Sequence, residues 1–102
     1  MADGTVEVPT QTEALVERLF GAAIGMLELD SIYLGYRLGF YRALAEDGPA
    51  APVELAARTG TVERYTREWL EQQAVAGFLS VDDVKAEADE RQYGLPEAHR
   101  PI

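Results

Sequence analysis

Cysteine is absent from the chain, so neither a disulfide nor a thiolate metal site can form. Histidine occurs once, at His99, which excludes a two-histidine metal or relay site within one chain. Positive charge is scarce: nine Lys and Arg stand against eighteen Asp and Glu, a formal net charge of −9. Glycine-rich phosphate loops of the G-x-G-x-x-G or P-loop type are missing. The most apolar run, Leu19 to Leu27, lies between Arg18 and Glu28 and falls far short of the ~20 residues that span a bilayer. Met1 to Pro9 carries Asp3 and Glu7 with no basic stretch, so no signal peptide is expected. These absences predict a soluble, cytoplasmic protein with no membrane partner. No catalytic, cofactor-binding or metal-binding residues are expected in it.

What is present is one small domain of 102 residues with enough Tyr, Phe, Trp and aliphatic side chains for a core. Residues 1–10 read as a flexible tail and 11–102 as the domain. Thr10 followed by Glu13 fits a capping box, and a long helix is expected from about Gln11 to Leu38. Leu15, Leu19, Ala22, Met26, Leu29 and Tyr33 recur at the three- and four-residue steps of a buried helical stripe. From Leu19 to Leu29 every residue except Glu28 is apolar or Gly, so more than one face avoids water. A domain this small covers one side of such a helix, and another polypeptide surface is expected on the rest. Leu19, Phe20, Ala23, Met26 and Leu27 are the interface candidates. Gly21 with Gly25, and Gly35 with Gly39, repeat a four-residue spacing that suits close helix–helix contact, although Gly39 reads better as a helix break.

Phe40 to Glu46 restarts a short apolar turn that Asp47-Gly48-Pro49 ends, closing the N-terminal helices at residues 11–47. Residues 48–77 read as a helix-turn-helix. Pro52 opens the first helix, Thr59-Gly60-Thr61 is the turn, and Thr61 caps a second helix running to about Ala76. Val62, Tyr65, Trp69, Leu70 and Gln73 are expected to face inward, with Gly77 as the left-handed stop. Phe78 to Val81 and Arg91 to Leu95 alternate as the two strands of a wing over residues 78–95. Residues 96–102 read as a truncated linker, and a cut inside a longer sequence is expected at Pro101-Ile102. The fold class is mainly α: a winged helix-turn-helix with a long N-terminal helix and a two-stranded C-terminal hairpin.

Such folds usually read DNA, but the charge argues against it here. Affinity for a duplex comes largely from Lys and Arg displacing counterions. The outward positions of the second helix are Glu63, Arg64, Arg67, Glu68 and Glu71, and the wing carries Asp82, Asp83, Glu87, Asp89 and Glu90 against Lys85 and Arg91. The wing acids lack the alternating ligands, central Gly and terminal Glu of a calcium loop. Gln72 and Gln73 either bond the hairpin backbone or face a ligand. Tyr33, Tyr36 and Arg37 either line an adjoining pocket or form an aromatic and cationic interface rim.

Several strings together resemble a known family. They are Tyr33-Leu34-Gly35 with Arg37 to Leu44, Glu54 to Gly60, Arg67 to Ala74 with Gly77, and Tyr93 to Glu97. In these, the chain resembles the N-terminal winged-helix domain of bacterial class I S-adenosylmethionine-dependent methyltransferases. The resemblance implies a dimerising domain that covers the substrate pocket and precedes a Rossmann-like catalytic domain. The family's Asp/Glu-x-Gly-x-Gly-x-Gly signature is not in this chain. No cofactor is therefore expected here, and S-adenosylmethionine and the small-molecule substrate belong to the parent protein. The expected partners are a second copy and the missing catalytic domain. On this reading Tyr33, Tyr36, Arg37, Gln72 and Gln73 are the substrate-lid candidates. The alternative is a DNA-binding winged-helix transcriptional regulator.

Overall fold

The computed structural model describes residues 3–101, with side chains from Thr10 onward. In chain order the elements are α1 (Asp3–Leu38), α2 (Phe40–Asp47), α3 (Pro52–Thr59), α4 (Glu63–Val75), β1 (Ser80–Val81), β2 (Tyr93–Gly94) and a single 3-10 turn over Glu97–His99. The mainly helical chain closed by an antiparallel hairpin is the winged helix-turn-helix that the sequence pattern predicts. No described helix is long and apolar enough to cross a membrane. The residues group into two compact units, Met1–Asp30 and Ser31–Ile102.

The described residues of the first unit all lie on α1, which begins at Asp3 and takes in residues 3–10 that the sequence reading places in a tail. The Thr10/Glu13 pair therefore sits inside the helix rather than at its start, because extending a formed helix adds a hydrogen bond per residue without a new nucleation cost. All side chains from Thr10 to Ile24 are exposed.

The second unit has the core. Phe40, Tyr41 and Leu44 of α2 meet Leu55 of α3, Trp69 and Leu70 of α4, Leu79, and Tyr93 of β2, all buried. Gly39, at φ 79°, is the left-handed break between α1 and α2, and Gly60, at φ 69°, makes the turn between α3 and α4. Pro52 opens α3, where the Ala51 amide donates to Glu54 Oε1 at 2.8 Å. The strands pair Ser80 with Gly94 and Val81 with Tyr93. A further bridge joins Ala50 to Tyr93 through amide–carbonyl bonds of 2.9 and 2.8 Å, so the segment before α3 adds a third line to the ladder.

Two local expectations are corrected. Val62 and Tyr65 are exposed, and the buried face of α4 is Thr66, Trp69, Leu70 and Gln73. Nor does Thr61 cap α4, whose N-cap is Val62 without a side-chain bond. The cause is a hydroxyl chain across the turn. Thr59 Oγ1 donates to the Leu55 carbonyl and Thr66 Oγ1 to the Val62 carbonyl, while Thr61 Oγ1 sits 2.9 and 2.7 Å from the two hydroxyls. Its single proton serves one neighbour at a time. Burying Thr66 on α4 turns Tyr65 to the water side, while Val62 is exposed as the extended N-cap residue ahead of the helix.

Candidate functional site

The exposed face of α1 is the largest unexplained feature of the first unit. Leu19, Phe20, Met26 and Leu27 are each more than 60% exposed, Ala23 is exposed beside them, and Leu15, Val16, Ile24 and Leu29 extend the surface. At 3.6 residues per turn these side chains sweep an arc of roughly 220°, more than half the helix circumference. A Cβ added at Gly21 or Gly25 would meet nothing within 4 Å, so neither glycine is in a close approach among the described residues.

Gly35 is the opposite case. A Cβ there would overlap Trp69 Cζ2 and lie 2.9 Å from Trp69 Cε2 and Tyr41 Cε2. The bare backbone lets the edge of the indole reach α1, where Trp69 Nε1 donates to the Ser31 carbonyl at 2.9 Å. Phe40 and Tyr41 hold the other sides of the indole, with ring centroids 4.5 and 5.2 Å away.

Ser31 is the hub of a polar network that reaches α4. Its Oγ donates to Gln72 Oε1 at 2.7 Å. Gln73 Nε2 donates to Ser31 Oγ at 3.3 Å and to Gln72 Oε1 at 3.1 Å, and Tyr41 OH donates to Gln73 Oε1. Burial pushes the Tyr41 phenol up to about 12, so it stays a donor. Gln73 is fully buried, and both glutamines direct their amides to Ser31 and Tyr41 rather than to the hairpin. The hairpin uses the Gln73 main chain instead, whose carbonyl accepts from the amides of Phe78 and Leu79. Sequence spacing did not flag Ser31. Gly35 it did flag, as a close-contact glycine retained inside a helix where alanine would add up to ~1 kcal/mol, and the contact it makes is with Trp69 and Tyr41 of the same chain.

Of the remaining lid candidates, Tyr33 and Tyr36 are exposed, and the Arg37 guanidinium lies 6.0 Å from the Tyr33 ring centroid. Tyr36 and Arg37 line a cleft of about 520 Å³ with Tyr41, Arg42 and Arg100.

The outer face of α4 carries one ion pair, Arg64 Nε to Glu68 Oε1 at 3.9 Å, with both side chains mostly exposed. Such a pair contributes about 0–1 kcal/mol and leaves the face with no excess of positive charge. In the wing, Asp82 Oδ1 accepts from the amides of Asp83 and Gln92 at 2.7 and 3.0 Å, and Asp83 Oδ1 from the Lys85 amide at 2.9 Å. These carboxylates shape the loop's own backbone. Arg91 Nε donates to the Ala86 carbonyl at 2.9 Å and so is also committed to the loop. Gln92 Nε2 ties the wing to Glu54 Oε1 of α3 at 3.2 Å, and His99 Nδ1 lies 2.9 Å from the Phe78 carbonyl.

No curated protein matches the chain in sequence. A family model described as the Rv2258c-like winged HTH domain matches residues 22–102, covering the end of α1, the helix-turn-helix, the hairpin and the 3-10 turn. With the tri-helical core, the glycine-broken α1–α2 corner and the paired wing in place, the chain belongs to the Rv2258c-like winged HTH domain family.

Proposed function

We propose that this domain is the non-catalytic dimerisation and pocket-covering module of a small-molecule S-adenosylmethionine-dependent methyltransferase acting in the cytoplasm. The observation that carries the reading is the apolar arc of α1. Eight large side chains between Leu15 and Leu29 are each about half or more exposed. At on the order of 100 Å² each they offer roughly 800 Å², the area each partner contributes to a standard stable interface. An arc wider than half the helix calls for a partner that packs on two sides, which a second copy of α1 offers in a two-fold arrangement.

The chemistry itself falls to a catalytic domain of the parent. Gly4, Gly21, Gly25 and Gly35 lie within α1, Gly39, Gly48, Gly60 and Gly77 end or join helices, and Gly94 is in β2. None opens a strand-to-helix phosphate loop, so these residues do not fit a nucleotide-like cofactor. The methyl donor and acceptor are therefore assigned to the parent protein.

Sedimentation velocity at about 50 µM, far above the dissociation constants typical of a standard interface, is expected to report a dimer. Leu19→Asp, placing a charge on the exposed arc without touching the core, is expected to give a folded monomer. A monomer in both proteins would overturn the dimerisation reading.

Membership of a winged helix-turn-helix family favours a second reading, a DNA-binding regulator. It requires a mobility shift with duplex DNA that is strongest at low salt and weakens when Arg64 and Arg67 become Ala. The mixed charge of α4 and the wing acids held in loop hydrogen bonds weigh against it.

A further inference from the structure

A second surface, in the Ser31–Ile102 unit, has a charge pattern opposite to that of the whole molecule. Arg37 in the last turn of α1, Arg42 on α2 and Arg100 after the 3-10 turn converge on the 520 Å³ cleft, with Tyr36 and Tyr41 completing its wall. Three of the chain's nine basic residues thus meet in one place, in a protein with eighteen acids, and among the described residues no Asp or Glu lines the cleft. The volume falls in the range of small-molecule sites, ~300–1,000 Å³.

Ordinary structural roles account for only one of the three arginines. Arg37 suits the negative end of the α1 dipole and lies near the Tyr33 ring. Arg42 sits in the body of α2, and Glu46, one turn further on, does not pair with it: among the described residues the ion pair formed is Arg64 with Glu68. Nor do the guanidinium groups of Arg42 and Arg100 make a hydrogen bond among the described residues. Elsewhere, Arg58 and Arg91 satisfy theirs on the carbonyls of Gly48 and Ala86. Three like charges facing one cleft repel each other, and an anion placed among them removes that repulsion while accepting planar, bidentate hydrogen bonds.

We propose that this cleft binds a small organic anion through a carboxylate or phosphate group held by Arg37, Arg42 and Arg100. The tyrosine rings flank the remainder of the ligand, and the exposed face of Tyr36 offers a surface for a flat apolar body. The proposal shares Tyr36 and Arg37 with the lid candidates, but it requires neither dimerisation nor a catalytic domain. It is tested on this chain alone.

The test is isothermal titration of the chain with citrate as the carboxylate probe and pyrophosphate as the phosphate probe, at a constant ionic strength of about 100 mM, where the screening length is about 10 Å. At least one probe is expected to bind saturably with a millimolar or tighter dissociation constant, and which one binds separates the two chemistries. The double variant Arg42→Gln/Arg100→Gln changes only exposed side chains. It should keep its melting temperature and bind at least about tenfold more weakly, about 1.4 kcal/mol. Arg64→Gln/Arg67→Gln removes the same charge from α4 and should leave binding within about twofold. Absence of saturable binding at about 10 mM of either probe would overturn the proposal. So would an equal loss in the two double variants, which would mark a general charge effect. Duplex DNA bound by the wild type and lost only in the Arg42/Arg100 variant, with neither small probe binding, would replace the small anion with a nucleic-acid backbone.

Discussion

Replacing Gly35 by Ala sets two opposing effects against each other, and the structure decides which is larger. In an open helix the change gains up to ~1 kcal/mol, because alanine loses less backbone freedom on folding. At Gly35 the new methyl would overlap Trp69 Cζ2, and the indole has nowhere to go. Phe40 and Tyr41 hold its other sides, and its Nε1 is tied to the Ser31 carbonyl. Overpacking a rigid core costs about 1–3 kcal/mol, and displacing the indole would forfeit a hydrogen bond worth about 1 kcal/mol more. The net expectation for Gly35→Ala is a loss of roughly 2 kcal/mol, or about 8–16 °C in melting temperature for a domain of this size. Trp69 is the only tryptophan, so its fluorescence and near-ultraviolet dichroism report the displacement directly. Gly21→Ala is the control, since its methyl meets nothing within 4 Å. It should leave the melting temperature level or raise it. A Gly35→Ala protein melting within about 2 °C of the wild type, with unchanged tryptophan signals, would refute the close approach of α1 and α4.

Two further outcomes follow from the second unit. Glu54 has its carboxyl held below the usual range by the Ala51 amide and then by the Gln92 side chain. A folded pKa lower than the unfolded one adds stability above the unfolded value and loses it as pH falls through the folded value. Glu54→Ala should therefore lower stability at neutral pH by about 1 kcal/mol at most, given its exposure, and the difference in thermal melts should close on acidification. A difference independent of pH would assign the loss to something other than the carboxylate. Tyr93, in β2, has a buried hydroxyl with no hydrogen-bond partner among the described residues. Removing such a group relieves a desolvation cost, so Tyr93→Phe is expected to be neutral or to stabilise by about 1 kcal/mol in urea titrations. A loss of similar size would mean that the hydroxyl has a hydrogen-bond partner.

Much of the second unit was legible in the sequence because its signals are local. Gly39, Gly60 and Gly77 mark backbone that must turn left-handed, and each falls where the chain turns at a helix end. Pro52 placed the start of α3 to the residue, whereas Thr59, read as part of the turn, is the last residue of the helix. The inward face of α4 was legible at Trp69, Leu70 and Gln73 but not at Thr66, which is held by the Thr61 hydroxyl five residues back, itself bonded to Thr59. A hydrophobicity pattern counts those residues as polar. The strands came out shorter than the alternation of Phe78–Val81 and Arg91–Leu95 suggested, since pairing depends on what lies across the ladder. The Ala50 bridge comes from a segment with no strand-like pattern at all. For the candidate surfaces, the apolar run of α1 is readable from composition alone. The arginine cleft is not, because residues 37, 42 and 100 meet only after α2 folds back and the 3-10 turn returns to it.

The wing acids have a consequence for how such a domain can change its trade. A loop with Asp82 and Asp83 as its internal struts cannot exchange them for lysines and keep the same shape, since the amides of Asp83, Lys85 and Gln92 would lose their acceptors together. Recharging those two positions would need the hairpin rebuilt first. At Asp82 and Asp83 negative charge is masonry, so folding constrains them whatever the wing binds.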